Sequence, residues 1–232
     1  SGLLAFSAGI PPKDRGIGFT YIVTSGNEAD LEAADYIRFM VEDDETRVIG
    51  CFIEQFRDPA KMIEVADLAL ERGKPIVVLK VGRSEKAQRA AQAHTGSLVG
   101  SDDVVDAVMR QHGIIRVSNL DEMAETLAAF HAPRLPQGDG LATIFLSGGA
   151  GGVVSDLASD LGMRLPELAP ETVDRLTSLI PEFGTVGNPL DVTGQAWLMP
   201  GVMEGVLESL GDDPNVDIVV YGQAYPADFD VG

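Results

Sequence analysis

Cysteine is nearly absent: Cys51 stands alone in 232 residues, so no intrachain disulfide can staple the fold. One thiol and no evident secretory leader lead us to expect a reducing, cytoplasmic compartment. Cys51 sits inside RVIGCFIEQ, whose apolar neighbours mark a buried structural thiol and not a nucleophile. No apolar run reaches the 18 or so residues that a membrane-spanning helix needs, so no membrane partner is expected. Positive charge is scarce as well, with 17 Lys and Arg against 36 Asp and Glu and a formal charge of -19. A nucleic-acid backbone is therefore an unsuitable partner. The 26 glycines follow no three-residue period, which excludes a collagen-like chain.

What the chain does contain is alternation. Short β-branched runs predict strands at Phe19–Thr24, Val48–Phe52, Pro75–Lys80, Ile114–Val117, Ala142–Leu146 and Val216–Tyr221. Longer segments of 3.6-residue period lie between them, predicting helices over 30–43, 60–71, 102–112, 121–130 and 153–161. Val77, Val78 and Leu79 are continuously apolar, as in a strand covered on both faces. The fold class expected is α/β: two flavodoxin-like or Rossmann-like three-layer domains with mainly parallel sheets.

APRLPQGDG, with two prolines and two glycines, reads as a linker over 132–140 between domains 1–131 and 141–232. The second domain partly repeats the first. SG at Ser1-Gly2 is followed by GNEAD, and SGG at Ser147–Gly149 by GNPLD, with spacings of 29 and 44 residues to the aspartates Asp30 and Asp191. The repeat is one of architecture and not of period. Both aspartates are expected mainly as helix caps, and Asn27 and Asn188 as loop formers, with contact to a ligand as the alternative. A strand, LATIFL, precedes SGG, but nothing precedes the first SG. Each domain is thus expected to be incomplete and the chain to be part of a longer one.

Three histidines are present, and His94 in AAQAHTGSLVGSD has the most suggestive company. Thr95 and Ser97 offer hydroxyls, while Gly96 and Gly100 free the backbone to turn its amides toward an anion. Lys80, Arg83, Lys86 and Arg89 just before it locally reverse the sign of an acidic chain. That reversal suits a small anion, or a solvated helix start. A neutral imidazole attacks phosphoryl groups well, but a polar loop residue would look the same. His112 precedes Gly113 at a helix end, a capping position, and His131 adjoins the linker.

Gly148-Gly149-Ala150-Gly151-Gly152 follows a strand and opens a helix. Its unpaired first-turn amides could hold an anion, or the glycines could only make a tight turn. It is neither a P-loop nor GxGxxG. Ser1-Gly2 begins a similar apolar helical segment. Glu54 ends the strand that contains Cys51, at the edge where open α/β sheets place their sites. It could fix a histidine tautomer, or pair with Arg57 as a surface loop residue.

Taken together, RGIGFTYIVTSGNEADLEAADYIRFMVEDDETRVIGCFIEQFRD, KPIVVLKVGRSEKAQRAAQAHTGSLVGSD and SGGAGGVVSDLASDLG with PEFGTVGNPLDVTG resemble the nucleoside-diphosphate-forming acyl-CoA synthetases, relatives of succinyl-CoA synthetase. The resemblance implies that His94 is phosphorylated and that Glu54 contacts it. It also implies that two helix starts hold the phosphate, one at Ser1 and Gly2, the other at Gly148, Gly149, Ala150 and Gly151, with Gly96 and Ser97 beside the histidine. Inorganic phosphate would cleave an acyl-CoA to acyl phosphate and CoA, His94 would accept the phosphoryl group, and ADP would take it to give ATP. CoA, ADP or ATP and Mg²⁺ are thereby implied as substrates of the parent enzyme, with a small-molecule acyl substrate. The implied partners are a CoA-binding Rossmann domain and an ATP-grasp domain, in cis or in a partner subunit. This chain by itself would be inactive in the overall reaction. The alternative expectation is a non-catalytic ligand-sensing domain, of the kind fused to acetyltransferases or found in regulatory proteins.

Overall fold

The structure is a computed structural model that describes residues 17–83, 101–132, 134–196 and 198–222. The chain divides into two units, Ser1–Pro133 and Arg134–Gly232.

Within the first unit, α1 (Ala33–Glu42) is followed by β1 (Ile49–Ile53), α2 (Pro59–Glu71), β2 (Ile76–Lys80), α3 (Asp102–Gln111), β3 (Ile114–Val117) and α4 (Leu120–His131). The strands pair in parallel in the order β1-β2-β3, with Ile53 opposite Lys80 and Val78 opposite Arg116. All five residues of β2 are buried, as expected for the central strand of a sheet covered on both faces. On one face Ile76 and Val78 pack with Ile37 and Val41 of α1 and with Met62, Val65 and Ala69 of α2. On the other, Val77 and Leu79 meet Met123 and Leu127 of α4. The expected three-layer α/β arrangement is present.

Local chemistry sets the helix ends. Asp58 caps α2 by accepting the Lys61 amide at 3.1 Å, and Pro59 occupies the first turn, where its missing N–H costs nothing. Asn119 caps α4 through the Glu122 amide at 2.8 Å. At α1 the capping residue is Glu32, in a reciprocal box with Asp35, and not the expected Asp30. Glu32 also accepts the Asp58 amide at 2.9 Å and faces Lys61 at 3.2 Å, so one carboxylate ties the starts of α1 and α2 together. Gly113 ends α3 at φ +66, a conformation that L side chains rarely adopt. The neighbouring His112 sits at the α3 C-cap, as expected, with Nδ1 2.6 Å from Asp67 of α2.

One expected strand does not form. Phe19–Thr24 joins no strand among the described residues, and Phe19, Tyr21, Ile22 and Val23 are exposed. Strand propensity is satisfied only by a neighbour whose ladder it can join. Here Tyr21 instead stacks edge-on against Phe39, with ring centroids 5.2 Å apart. Cys51 is partly buried against the core, and burial pushes its thiol up to about 12, which fits the structural role expected for it.

The second unit contains β4 (Leu141–Phe145), α5 (Gly148–Asp160), α6 (Pro170–Leu179), β5 (Leu190–Asp191), the short α7 (Thr193–Ala196), α8 (Val202–Gly211) and β6 (Ile218–Gly222). Its sheet is parallel, ordered β5-β4-β6, with the first strand in the middle. Ala142 and Ile144 share a core with Leu176 of α6 and with Val206 and Leu210 of α8. The GNPLD segment does more than turn. Asn188 donates to the Leu141 and Pro166 carbonyls at 2.8 and 3.1 Å and accepts the Thr143 amide at 3.1 Å, clamping β4 to the neighbouring loops.

Asp213 anchors the start of α6. It is buried and accepts the Ala169 and Asn215 amides, each at 2.8 Å. Burial opposes its ionisation, but the Asn215 amide, the Thr172 hydroxyl and the Ala169 amide outweigh that and hold the carboxyl below its ordinary value. A carboxyl lowered on folding stabilises the fold above its unfolded pKa, near 4, and that contribution is lost as pH falls through the folded value. Asp213→Asn should lower unfolding free energy at pH 7 by about 1–3 kcal/mol and flatten the acid limb of a stability-versus-pH curve. An unchanged acid limb in urea titrations would remove Asp213 from the acid response.

Candidate functional site

Parallel strands point their carboxyl ends to one edge of the sheet, so the first unit gathers polar residues there that lie far apart in sequence. Glu54 follows β1 directly, Lys80 ends β2, Arg83 lies three residues further on, and Arg116 belongs to β3. Asp102, the first residue of α3, comes to the same edge. Glu54 is exposed there, as its sequence position implied. The competing surface pairing with Arg57 is not formed. Arg57 donates to the Asn27 carbonyl at 2.9 Å and lies 3.9 Å from Glu28.

Arg116 was not singled out by sequence reasoning. It is largely buried, 2.6 Å from Asp102 and 3.4 Å from Asp106, and its Nε has no hydrogen-bond partner among the described residues. The available signal was a charged residue inside the otherwise apolar run IIRV. Arg83 approaches the other oxygen of Asp102 at 3.8 Å. Asp102 therefore serves two guanidinium groups, and the basic segment noticed in sequence is partly neutralised where it is described.

His94, Gly96 and Ser97, like Ser1 and Gly2, lie outside the described residues, as do Lys86 and Arg89. The second unit's candidate anion site is described. α5 starts at Gly148 and not near Val153, so the glycine run forms the helix's own first turn. Ser147, its N-cap, makes no side-chain cap, and residues 147–149 are exposed. Ala150 and Gly151 donate to the Ser147 carbonyl at 3.1 and 3.4 Å. Gly151 packs closely on the neighbouring loop: a Cβ there would come 3.2 Å from Pro189 Cβ. Asp191 lies close as well, with Oδ2 3.1 Å from where a Gly148 Cβ would be and Oδ1 accepting the Thr193 amide at 2.9 Å. An anion at this helix start would meet free amides beside a carboxylate. Asp191, expected as a helix cap, ends β5 and accepts the amide of Thr193, the first residue of α7.

No group of three His, Cys, Asp or Glu side chains with metal-binding placement occurs among the described residues. No helix among them is long and apolar enough to cross a membrane.

Asp102→Ala would leave the largely buried Arg116 with Asp106 as its remaining carboxylate. Unfolding free energy should then fall by about 1–3 kcal/mol. A urea midpoint equal to that of the unchanged chain would show that Asp102 contributes nothing to the edge.

Comparison with known proteins identifies the family of both units. Residues 1–130 match the family described as the succinyl-CoA ligase like flavodoxin domain, and residues 141–226 the one described as the ligase-CoA domain. An ADP-forming acetate–CoA ligase II of Archaeoglobus fulgidus is 37% identical over 220 residues, covering 92% of this chain and 32% of that protein. The alpha subunit of the corresponding Pyrococcus furiosus ligase II is 36% identical over 218 residues, covering 93% and 47%. A solved structure of Candidatus Korarchaeum cryptofilum dinucleotide-forming acetyl-coenzyme A synthetase 1, in complex with phosphate and ADP, superposes with a TM-score of 0.85 at 30% identity. It covers 97% of this chain and 48% of that one. The chain thus spans from about a third to about half the length of these relatives.

Proposed function

This chain belongs to the succinyl-CoA-ligase-like family, and we propose that it is the phosphohistidine-carrying part of an ADP-forming acyl-CoA synthetase. The parent enzyme interconverts acyl-CoA, ADP and phosphate with carboxylic acid, ATP and CoA. Phosphate oxygen attacks the thioester carbonyl, expelling the CoA thiolate and leaving an acyl phosphate. His94 attacks phosphorus and releases the carboxylate, and the phosphohistidine then passes its phosphoryl group to the terminal oxygen of ADP.

The observation that carries this reading is an exposed Glu54 at the carboxyl edge of a sheet in the first of two ligase families that follow one another along the chain. Arg57 is engaged elsewhere, which leaves the Glu54 carboxylate able to accept Nδ1–H of a histidine. That bond would fix the tautomer and stabilise positive charge on the ring while Nε2 carries phosphate. Phosphoryl transfer spreads negative charge over three equatorial oxygens, so preset amides and cations are the main catalytic device. The exposed first turn of α5 supplies such amides at Gly148 and Gly149, with Ala150 and Gly151 closing the turn onto the Ser147 carbonyl, and Ser1, Gly2, Gly96 and Ser97 take the equivalent role in the first domain. The two domains, 1–131 and 141–232 with 132–140 as linker, depend on a CoA-binding domain and an ATP-grasp domain for the remaining substrates. Mg²⁺ enters with the nucleotide, outside the residues described here.

The parent protein incubated with ATP and Mg²⁺ should gain acid-labile, base-stable phosphate. His94→Ala should abolish the label, and Glu54→Gln should slow labelling by roughly tenfold to a hundredfold. Label that persists in His94→Ala would displace the histidine from its role. A full parent that takes no label would favour the ligand-sensing alternative.

A further inference from the structure

The strand β2 reads IVVLK, four apolar residues and then a lysine, and the lysine is as buried as its neighbours, with 5% of its surface exposed. A lysine ending a strand ordinarily runs its stem along apolar surface and leaves the ammonium in water. Lys80 does not. Its side chain folds back at the strand end, with Nζ 3.8 Å from where a Gly82 Cβ would be and 2.5 Å from the Val81 carbonyl, to which it donates. An ammonium has three donors, and among the described residues this carbonyl is its acceptor.

The carboxylates nearby are arranged around other cations. Asp102 and Asp106 pair with Arg116, and Asp102 also faces Arg83. Glu54 stands one residue beyond Ile53, the direct β1 partner of Lys80, yet no carboxylate of the described residues reaches Nζ within ion-pair distance. A buried ammonium is costly unless it is paired and hydrogen-bonded. This one lies at the carboxyl edge, where ligands of open α/β sheets bind.

We propose that Lys80 is an oxyanion-binding residue of the ligase site, its ammonium donating to an oxygen of phosphate or of the phosphoryl group in transfer. The proposal rests on the ligase reading above and adds to it a residue that neither the histidine segment nor the helix starts contain. Burial is the chief force that lowers the Lys80 pKa, with Arg116 acting in the same direction, while Asp102 and Glu54 pull it back up. A bound phosphate would reinforce the last two and keep the side chain charged. Glu54 and Lys80 then divide the work on adjacent strand ends: the carboxylate orients the imidazole, and the ammonium holds the oxygen that the imidazole cannot.

The test uses the full parent enzyme with acetyl-CoA, ADP and inorganic phosphate, and separately with ATP and Mg²⁺. The unchanged enzyme, Lys80→Met and Lys80→Arg are compared. Lys80→Met should raise KM for phosphate, or slow ATP-dependent labelling, by roughly tenfold to a hundredfold, the span of one charge-assisted hydrogen bond. Lys80→Arg should recover part of the loss. A raised KM with unchanged labelling assigns Lys80 to free phosphate, whereas slowed labelling with unchanged KM assigns it to the phosphoryl group in transfer. The thermal midpoint of Lys80→Met should equal or exceed that of the unchanged protein, because an apolar side chain replaces a desolvated charge. Should Lys80→Met fail to fold, Lys80→Gln serves for the same comparison. KM and labelling both unchanged in an active parent would overturn the Lys80 assignment and leave the ligase reading intact. A parent that neither turns over nor takes label would overturn both.

Discussion

The parallel pairing of β1, β2 and β3 is the constraint on which the rest of the first unit depends. Parallel strands send every carboxyl end to the same edge, and the helices that return the chain occupy the faces. Glu54, Lys80 and Arg116 come from three separate segments and share no local motif. Register brings them together: Ile53 opposes Lys80, and Val78 opposes Arg116, so each polar residue arrives within a residue or two of the same level. A slip of one residue would turn Lys80 and Arg116 to the opposite face and bury Val77 where Val78 now packs. The apolar alternation that fills the two cores therefore also positions the charged edge.

That edge is an electrostatic exception in a strongly acidic protein. The chain carries a formal charge of -19, yet Lys80, Arg83 and Arg116 gather at the end of one sheet, the two arginines against Asp102 and Asp106. The two guanidinium groups lie against carboxylates, a geometry suited to their planar donors. The ammonium of Lys80 is a compact charge with donors to spare. A protein of such net charge repels phosphate at long range, so an anion must be held by short, directed contacts. Under the proposed ligase reading, the Gly148 and Gly149 amides and the Lys80 ammonium would each, in its own unit, supply a contact of that kind.

The two units show how one architecture can rest on different local devices. In the first, GNEAD leads to a helix capped by Glu32, with the Asn27 carbonyl taken by Arg57. In the second, GNPLD carries Asn188 as a three-way clamp and Asp191 as part of β5. Similar letters in similar places thus adopt dissimilar roles, because a side-chain amide or carboxylate binds whatever unpaired backbone the surrounding fold presents.

Periodicity alone located β2, α2 and α4 to within a residue or two, because their apolar spacing, Pro59 and the caps at Asp58 and Asn119 are local properties of the chain. The same holds for the position of Glu54 at a strand end and for the family resemblance, which rests on contiguous motifs. Tertiary structure decided the rest. Phe19–Thr24 has strand-forming residues but joins no ladder among the described residues, and Arg57 turns to Asn27 and not to Glu54. Lys80 reads locally as one basic residue in a basic segment, and Arg116 as an oddity in a strand. That one is buried with a single acceptor among the described residues, and the other held by Asp102, follows from which strands stand side by side. Pairing across tens of residues is a property of the assembled sheet, and no local pattern encodes it.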